Sequence, residues 1–180
     1  MALMASANVL TRADLDALPN DGLRHELIDG AFVMTPAPGH LHQRVVFSLS
    51  RALHSAAEGS GLEVLFAPFD VVLGSNVVEP DIIVAPTAAF TERDLPVAPQ
   101  LVVEVRSPST GWLDEGRKRT LYEEHGIASY WLIDPTTPSI TVLELDEGRY
   151  RETASARGDQ TITVAAPFAI SLNPADLARG

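Results

Sequence analysis

Two carboxylates stand where carboxylates are costly. In Glu79-Pro80-Asp81-Ile82-Ile83-Val84 and Leu101-Val102-Val103-Glu104-Val105-Arg106, acidic side chains interrupt apolar, strand-forming runs. An ionised carboxylate on a buried strand needs a counter-charge, hydrogen bonds or a metal. Taken singly, each is better explained by an arginine partner or an exposed strand face. Taken together on neighbouring strands, Asp81 and Glu104 offer converging oxygens to a hard cation, Mg2+ or Mn2+.

A lysine supplies the third part. Of the 13 basic residues, 12 are arginine and one, Lys118, is lysine. In a chain that places arginine wherever a charge suffices, the lone lysine suggests a need for a compact ammonium of adjustable pKa. Over a helix predicted for 111–125, Asp114, Lys118, Leu121, Tyr122 and His125 share one face. Leu121 and Tyr122 turn that face inward, which brings Lys118 back over the carboxylates. The alternative is a solvated lysine within Arg117-Lys118-Arg119. His42 lies on the edge of an apolar helical stripe and reads first as a structural histidine, second as a DNA or phosphate contact. Ser107, Ser109 and Thr110 read as turn and capping hydroxyls. The sequence holds no Gly-rich phosphate loop, no Gly-x-Ser-x-Gly elbow and no histidine pair at zinc spacing.

The elements that must position these groups follow from periodicity. Thr11-x-x-Asp14 opens a short helix over 11–18. Leu23–Ile28 and Ala31–Thr35 are strands joined at Asp29-Gly30, a two-residue hairpin turn. His40 to Ala57 is the longest helix, with Leu41, Val45, Leu49, Ala52, Leu53 and Ala56 as its buried stripe. Leu62–Ala67 and Asp70–Leu73 are expected as neighbouring strands. Val77–Val84 is read as one run whose first half, holding Pro80, is an edge, a bulge or the start of a strand. Residues 85–99 form a proline-containing connection. Leu101–Arg106 is a strand, and Gly111 to His125 a helix closed by Gly126. Ser129–Asp134, Ile140–Leu145 and a strand near Tyr150 follow, then Thr161–Val164 and a short helix near Pro174. With no repeat or linker, residues 1–180 read as one α+β domain, a mixed β-sheet flanked by helices with a core over about 23–150 and a peripheral β-rich C-terminal part.

Composition narrows the classes. A length of 180 residues with 46% apolar content suits one globular domain. No apolar run approaches the roughly 18 residues that span a bilayer. The opening MALMASANVL lacks the basic residues of a secretory signal, so none is expected. Cysteine is absent, which removes disulfides, zinc–thiolate sites and cysteine nucleophiles and suits a cytoplasmic protein. A net charge of −11 argues against a nucleic-acid coat protein. It leaves room for a nuclease whose carboxylates bind metal, with weak nucleic-acid binding when metal is absent.

Pro80-Asp81, then Glu104-Val105-Arg106-Ser107-Pro108-Ser109-Thr110, then Lys118-x-x-x-Tyr122, resemble the Uma-type putative restriction endonuclease family of the PD-(D/E)XK nuclease superfamily. Further matching segments run in order. They are Glu26-Leu27-Ile28-Asp29-Gly30, His42-Gln43-Arg44, Ala67-Pro68-Phe69-Asp70-Val71 and Tyr130-Trp131-Leu132-Ile133-Asp134-Pro135. The resemblance implies a restriction-endonuclease-like core and a metal-dependent endonuclease acting on DNA. It implies Asp81 and Glu104 as metal ligands, with the Val105 carbonyl as a further one, and Glu26 as a ligand or a holder of water. Glu26 also admits a plain ion pair with Arg24 or His25.

In the superfamily's plain pattern the lysine stands two residues after the glutamate, on the same strand face. Here that slot holds Arg106, and the resemblance implies that the lysine has moved to the helix as Lys118, near Tyr122. Arg106 is the alternative cation, although its pKa is too high for proton transfer. The resemblance also implies a homodimer, with any sequence specificity supplied by a partner. Two other readings remain at this stage: a non-catalytic DNA-binding or protein-interaction module, and a hydrolase of small phosphate esters.

Overall fold

Local turn chemistry sets the first hairpin. A computed structural model of the chain describes residues 9–19, 21–107 and 114–179. Within it, β1 (Arg24–Ile28) and β2 (Ala31–Thr35) pair antiparallel from Arg24↔Thr35 to Ile28↔Ala31. Both turn residues have positive φ, 54° at Asp29 and 72° at Gly30, the geometry that a two-residue turn between right-twisted strands requires. Before it lies helix α1 (Arg12–Asp16), whose Thr11 and Asp14 form a reciprocal capping box. Helix α2 (His40–Ala57) has the expected bounds. Its buried row is His42, Val45, Val46, Leu49, Ser50, Leu53 and Ala57. Leu41 is exposed, so the stripe begins one residue later than its apolar pattern suggests.

The strands divide between two mixed sheets rather than one. The five-stranded sheet has the order β2-β1-β5-β4-β7, using β4 (Asp70–Leu73), β5 (Asn76–Val78) and β7 (Asp94–Leu95). The six-stranded sheet has the order β11-β10-β9-β8-β6-β3. Its members are β3 (Leu62–Phe66), β6 (Ile82–Pro86), β8 (Leu101–Val105), β9 (Ser129–Asp134), β10 (Ser139–Asp146) and β11 (Arg149–Arg157). Within it β8 and β9 run parallel and the other neighbours antiparallel. A small hairpin, β12 (Ile162–Val164) with β13 (Ile170–Leu172), and helix α4 (Pro174–Arg179) follow.

Two expectations are corrected here. The runs 62–67 and 70–73 are not neighbours: β3 pairs with β6 and β4 with β5, in different sheets. The run 77–84 is not one strand, because Pro80 has no N–H to continue a ladder, and the chain leaves one sheet at Val78 to join the other at Ile82. The connection 85–99 carries a 3-10 turn, Thr87–Ala89, and the short β7. The helix expected over 111–125 is described from Asp114, as a π-helical segment Asp114–Lys118 continuing into α3 (Arg119–Glu124). Gly126 follows at φ 70°. Its expected start at Gly111, the Asp114 side chain and the capping hydroxyls of Ser109 and Thr110 lie outside the described residues, as does most of the opening MALMASANVL.

The six-stranded sheet separates two apolar layers. On one face α2 and α4 pack over Ile82, Val84, Leu101, Val103, Trp131 and Ile133. On the other, Ile83, Val102, Tyr130 and Leu132 meet Leu121 and Tyr122 of α3 and residues of the five-stranded sheet. Among the described residues no helix is long and apolar enough to cross a membrane.

Candidate active site

Glu79-Pro80-Asp81 is the bridge between the sheets, and its side chains open the site. β6 and β8 are antiparallel with Ile82 opposite Val103. Continuing that register by one residue sets Asp81 opposite Glu104, on one face of the sheet. Glu104 is 2% exposed, Asp81 3% and Glu26 of β1 1%, so three carboxylates are withdrawn from water here.

Lys118 ties two of them. Its Nζ lies 2.9 Å from Glu26 Oε1 and donates to Glu104 Oε1 at 3.0 Å. Tyr122, one helical turn on, donates its hydroxyl to the same Glu104 oxygen at 2.8 Å. The Glu79 backbone N–H donates to Glu26 Oε1 at 2.8 Å. Lys118 closes the π-helical segment, a wider turn that recurs at functional sites. Burial first, then the charge of Glu104, pushes the Tyr122 phenol well above its ordinary value, so the hydroxyl remains a donor.

Asp81 has its own set of partners. Oδ2 accepts from the Val105 N–H at 2.8 Å and stands 3.1 Å from His42 Nε2. Oδ1 accepts from both terminal nitrogens of Arg24, at 3.2 and 3.3 Å. Burial pushes the Asp81 carboxyl up, but His42, Arg24 and the Val105 amide together hold it below the usual range. Arg24 also donates to the Glu79 carbonyl at 3.2 Å and lies 3.7 Å from Glu79 Oε2. Burial, only partly opposed by Arg24, raises Glu79. A cleft of about 310 Å3 opens over this group, walled by Arg24, Pro38, His42, Gln43, Pro68 and Asp81.

The structure thus brings Glu26, His42, Asp81, Glu104, Val105, Lys118 and Tyr122 together. An exposed strand face for either carboxylate is ruled out by burial, as is a solvated Lys118, which is 2% exposed. The arginine partner holds for Asp81, through Arg24. Glu26 pairs with Lys118 rather than with Arg24 or His25, and His25 pairs instead with Asp21. Arg106 extends toward Asp134 of β9, at 3.8 Å. Arg24 and Glu79 were not anticipated as members of the site. The spacing of Glu79 two residues before Asp81 held a trace of it, since a two-residue interval returns a side chain to the same side of an extended chain.

Carboxylate oxygens are donors of the kind that suits a hard divalent cation. The described ion pairs set four carboxylates, Glu26, Glu79, Asp81 and Glu104, against two permanent cations, Arg24 and Lys118. Among the described residues Glu26 Oε2, which is buried, has no hydrogen-bond partner. Among the described residues no group of three or more His, Asp or Glu side chains is placed to hold a metal ion. Mg2+ does not need such a group, because it is commonly held by one or two carboxylates and keeps several waters.

Comparison with curated proteins returned no match. Among solved structures, the chain is similar to a protein from Anabaena variabilis ATCC 29413 described as a putative nuclease belonging to DUF820. The TM-score is 0.74 at 19% identity, covering 94% of this chain and 98% of that one. The likeness establishes the α+β fold over nearly the full length of both chains. The family model for Uma2, described as putative restriction endonuclease, matches residues 12–177, and the chain belongs to that family.

Proposed function

We propose that the protein is a metal-dependent endonuclease that hydrolyses phosphodiester bonds of DNA. The observation that supports this reading is the buried Glu26–Lys118–Glu104 bridge beside Asp81, three carboxylates withdrawn from water at one place. Asp81 and Glu104 would hold Mg2+ or Mn2+, with the Val105 carbonyl as a further oxygen. When bound, the ion supplies Lewis-acid polarisation of the scissile phosphate and a lowered pKa of its water. Lys118 orients the attacking water or offsets the charge growing on the phosphoryl oxygens. Glu26 holds the ammonium in that position, and Tyr122 fixes the Glu104 carboxylate. Water adds to phosphorus, the 3′ oxygen leaves and takes a proton, and the products carry a 5′-phosphate and a 3′-hydroxyl. The same reading takes the protein as a cytoplasmic homodimer, with sequence choice contributed by a partner.

One observation favours a second reading. The Asp81 oxygens already accept from Arg24 and the Val105 amide and face His42, an arrangement that also suits a binding module without cleavage. Cleavage of supercoiled plasmid and single-stranded DNA in Mg2+ or Mn2+, beside Asp81→Ala, Lys118→Ala and Arg106→Ala, separates the two. The nuclease reading expects cleavage that the first two variants lose and Arg106→Ala keeps, with calorimetric metal binding lost in Asp81→Ala. Metal-independent binding by folded protein without any cleavage would transfer the assignment to the binding module.

A further inference from the structure

The exposed face of α2 carries a row that neither the core nor the catalytic group uses. His40, Gln43, Phe47, Arg51 and His54 all face solvent, at the three- and four-residue intervals that align side chains along one face of a helix. Gln43 stands at the cleft of Asp81. Phe47, Arg51 and His54 line a second groove of about 670 Å3, whose opposite wall is Val64 and Phe66 of β3. Residues consecutive in the chain line the two depressions. Val46 lines one and Phe47 the other, and Ala67 lines one and Phe66 the other. Between Gln43 and His54 the helix rises about 16 Å.

The chemistry of this groove is unlike that of the rest of the chain. Phe47 is 61% exposed and Phe66 56%. The Arg51 guanidinium carbon sits 5.7 Å from the centre of the Phe47 ring. In a protein of net charge −11, the 18 residues of α2 include two arginines, three histidines and no carboxylate. The one acid lining the groove, Asp176, is paired with Arg179 at 2.8 Å. Exposed aromatic rings interleaved with cations are the makings of a stacking platform for unpaired bases. A base-paired duplex offers no free base faces to such rings, so charge and shape favour a single strand.

We propose that the α2–β3 groove binds a single-stranded segment of polynucleotide leading into the Asp81 cleft, with Phe47 and Phe66 stacking on bases and Arg51 contacting phosphate. The proposal deepens the nuclease reading, on which it rests, by naming unpaired nucleotides as the substrate beside the scissile bond. Fluorescence anisotropy with a labelled thymidine 12-mer and a matching 12-base-pair duplex, in EDTA at low salt, tests it without turnover. Wild type is expected to bind the single strand more tightly than the duplex. Phe47→Ala and Phe66→Ala are each expected to weaken it about tenfold, and Arg51→Ala to lower the slope of log affinity against log salt by about 0.7.

Unchanged affinity in all three variants, or no binding of the single strand by wild type, would overturn the groove assignment whatever the outcome for cleavage. A change from dimer to monomer in Phe47→Ala or Phe66→Ala during sedimentation, without loss of nucleic-acid binding, would overturn it in favour of a contact between copies. Binding lost as expected in a protein that never cleaves would uphold the groove and remove the nuclease reading.

Discussion

At the scale of residues, the site is a buried network of charge in which each partner prevents a cost. Lys118 neutralises two carboxylates that together expose almost no surface. Removing one member of such a group leaves the others uncompensated, at about 3–5 kcal/mol. Lys118→Ala is therefore expected to lose that much stability in urea unfolding, and Lys118→Met combined with Glu26→Gln to lose less than the sum of the single changes. Strict additivity would mean that the two groups do not interact. Tyr122→Phe removes one donor from Glu104; loss of a hydrogen bond to a charged group costs about 1.5–3 kcal/mol, and turnover should fall without vanishing. Asp81, Glu104 and Lys118 were legible from sequence because each breaks a local pattern, two as acids in apolar strands and one as the lone lysine. Arg24 was not, because arginine is the chain's ordinary base and nothing nearby marks it.

At the scale of elements, turns and register do the positioning. The β1–β2 hairpin presents Glu26, and its turn packs against the segment before α1, where a Cβ on Gly30 would lie 2.3 Å from Val9 Cγ1. Gly30→Ala is expected to cost about 1–3 kcal/mol from the positive φ and the contact, read as a lowered urea midpoint with an unchanged slope. An unaltered midpoint would show that the turn relaxes freely. Helix α2, the first hairpin and β9 could be read directly, since their periodicity and turn residues agree. The division of 76–86 into strands of two sheets could not, because the interruption at Glu79-Pro80-Asp81 is as short as a bulge and does not show that the chain changes sheet. Partners distant in sequence, such as β3 with β6, leave no local trace.

At the scale of the whole molecule, burial shapes the response to pH. All three tyrosines are buried. The phenols of Tyr122 and Tyr150 are pushed up, by burial first and then by Glu104 and Glu123 respectively. A raised phenol contributes its full stability below its unfolded value of about 10 and loses it as pH climbs toward the folded value. Stability should therefore decline above about pH 10, with tyrosinate absorbance rising only on unfolding and a smaller decline in Tyr150→Phe. Tyrosinate formed in the intact fold would contradict this. The position of the site between the sheets has a further consequence, in time rather than in energy. Lys118 clasps Glu26 from one sheet and Glu104 from the other, while the amide protons of Glu79 and Val105 are held by carboxylates of the same cluster. Each of these bonds lies within one sheet, Glu79 against β1 and Val105 against the residue before β6, and because Lys118 ties the two sheets, both protons should exchange with deuterium at one common rate of opening. A Glu79 amide that exchanged far ahead of Val105 would instead reveal a hinge at Pro80, with the two sheets breathing independently.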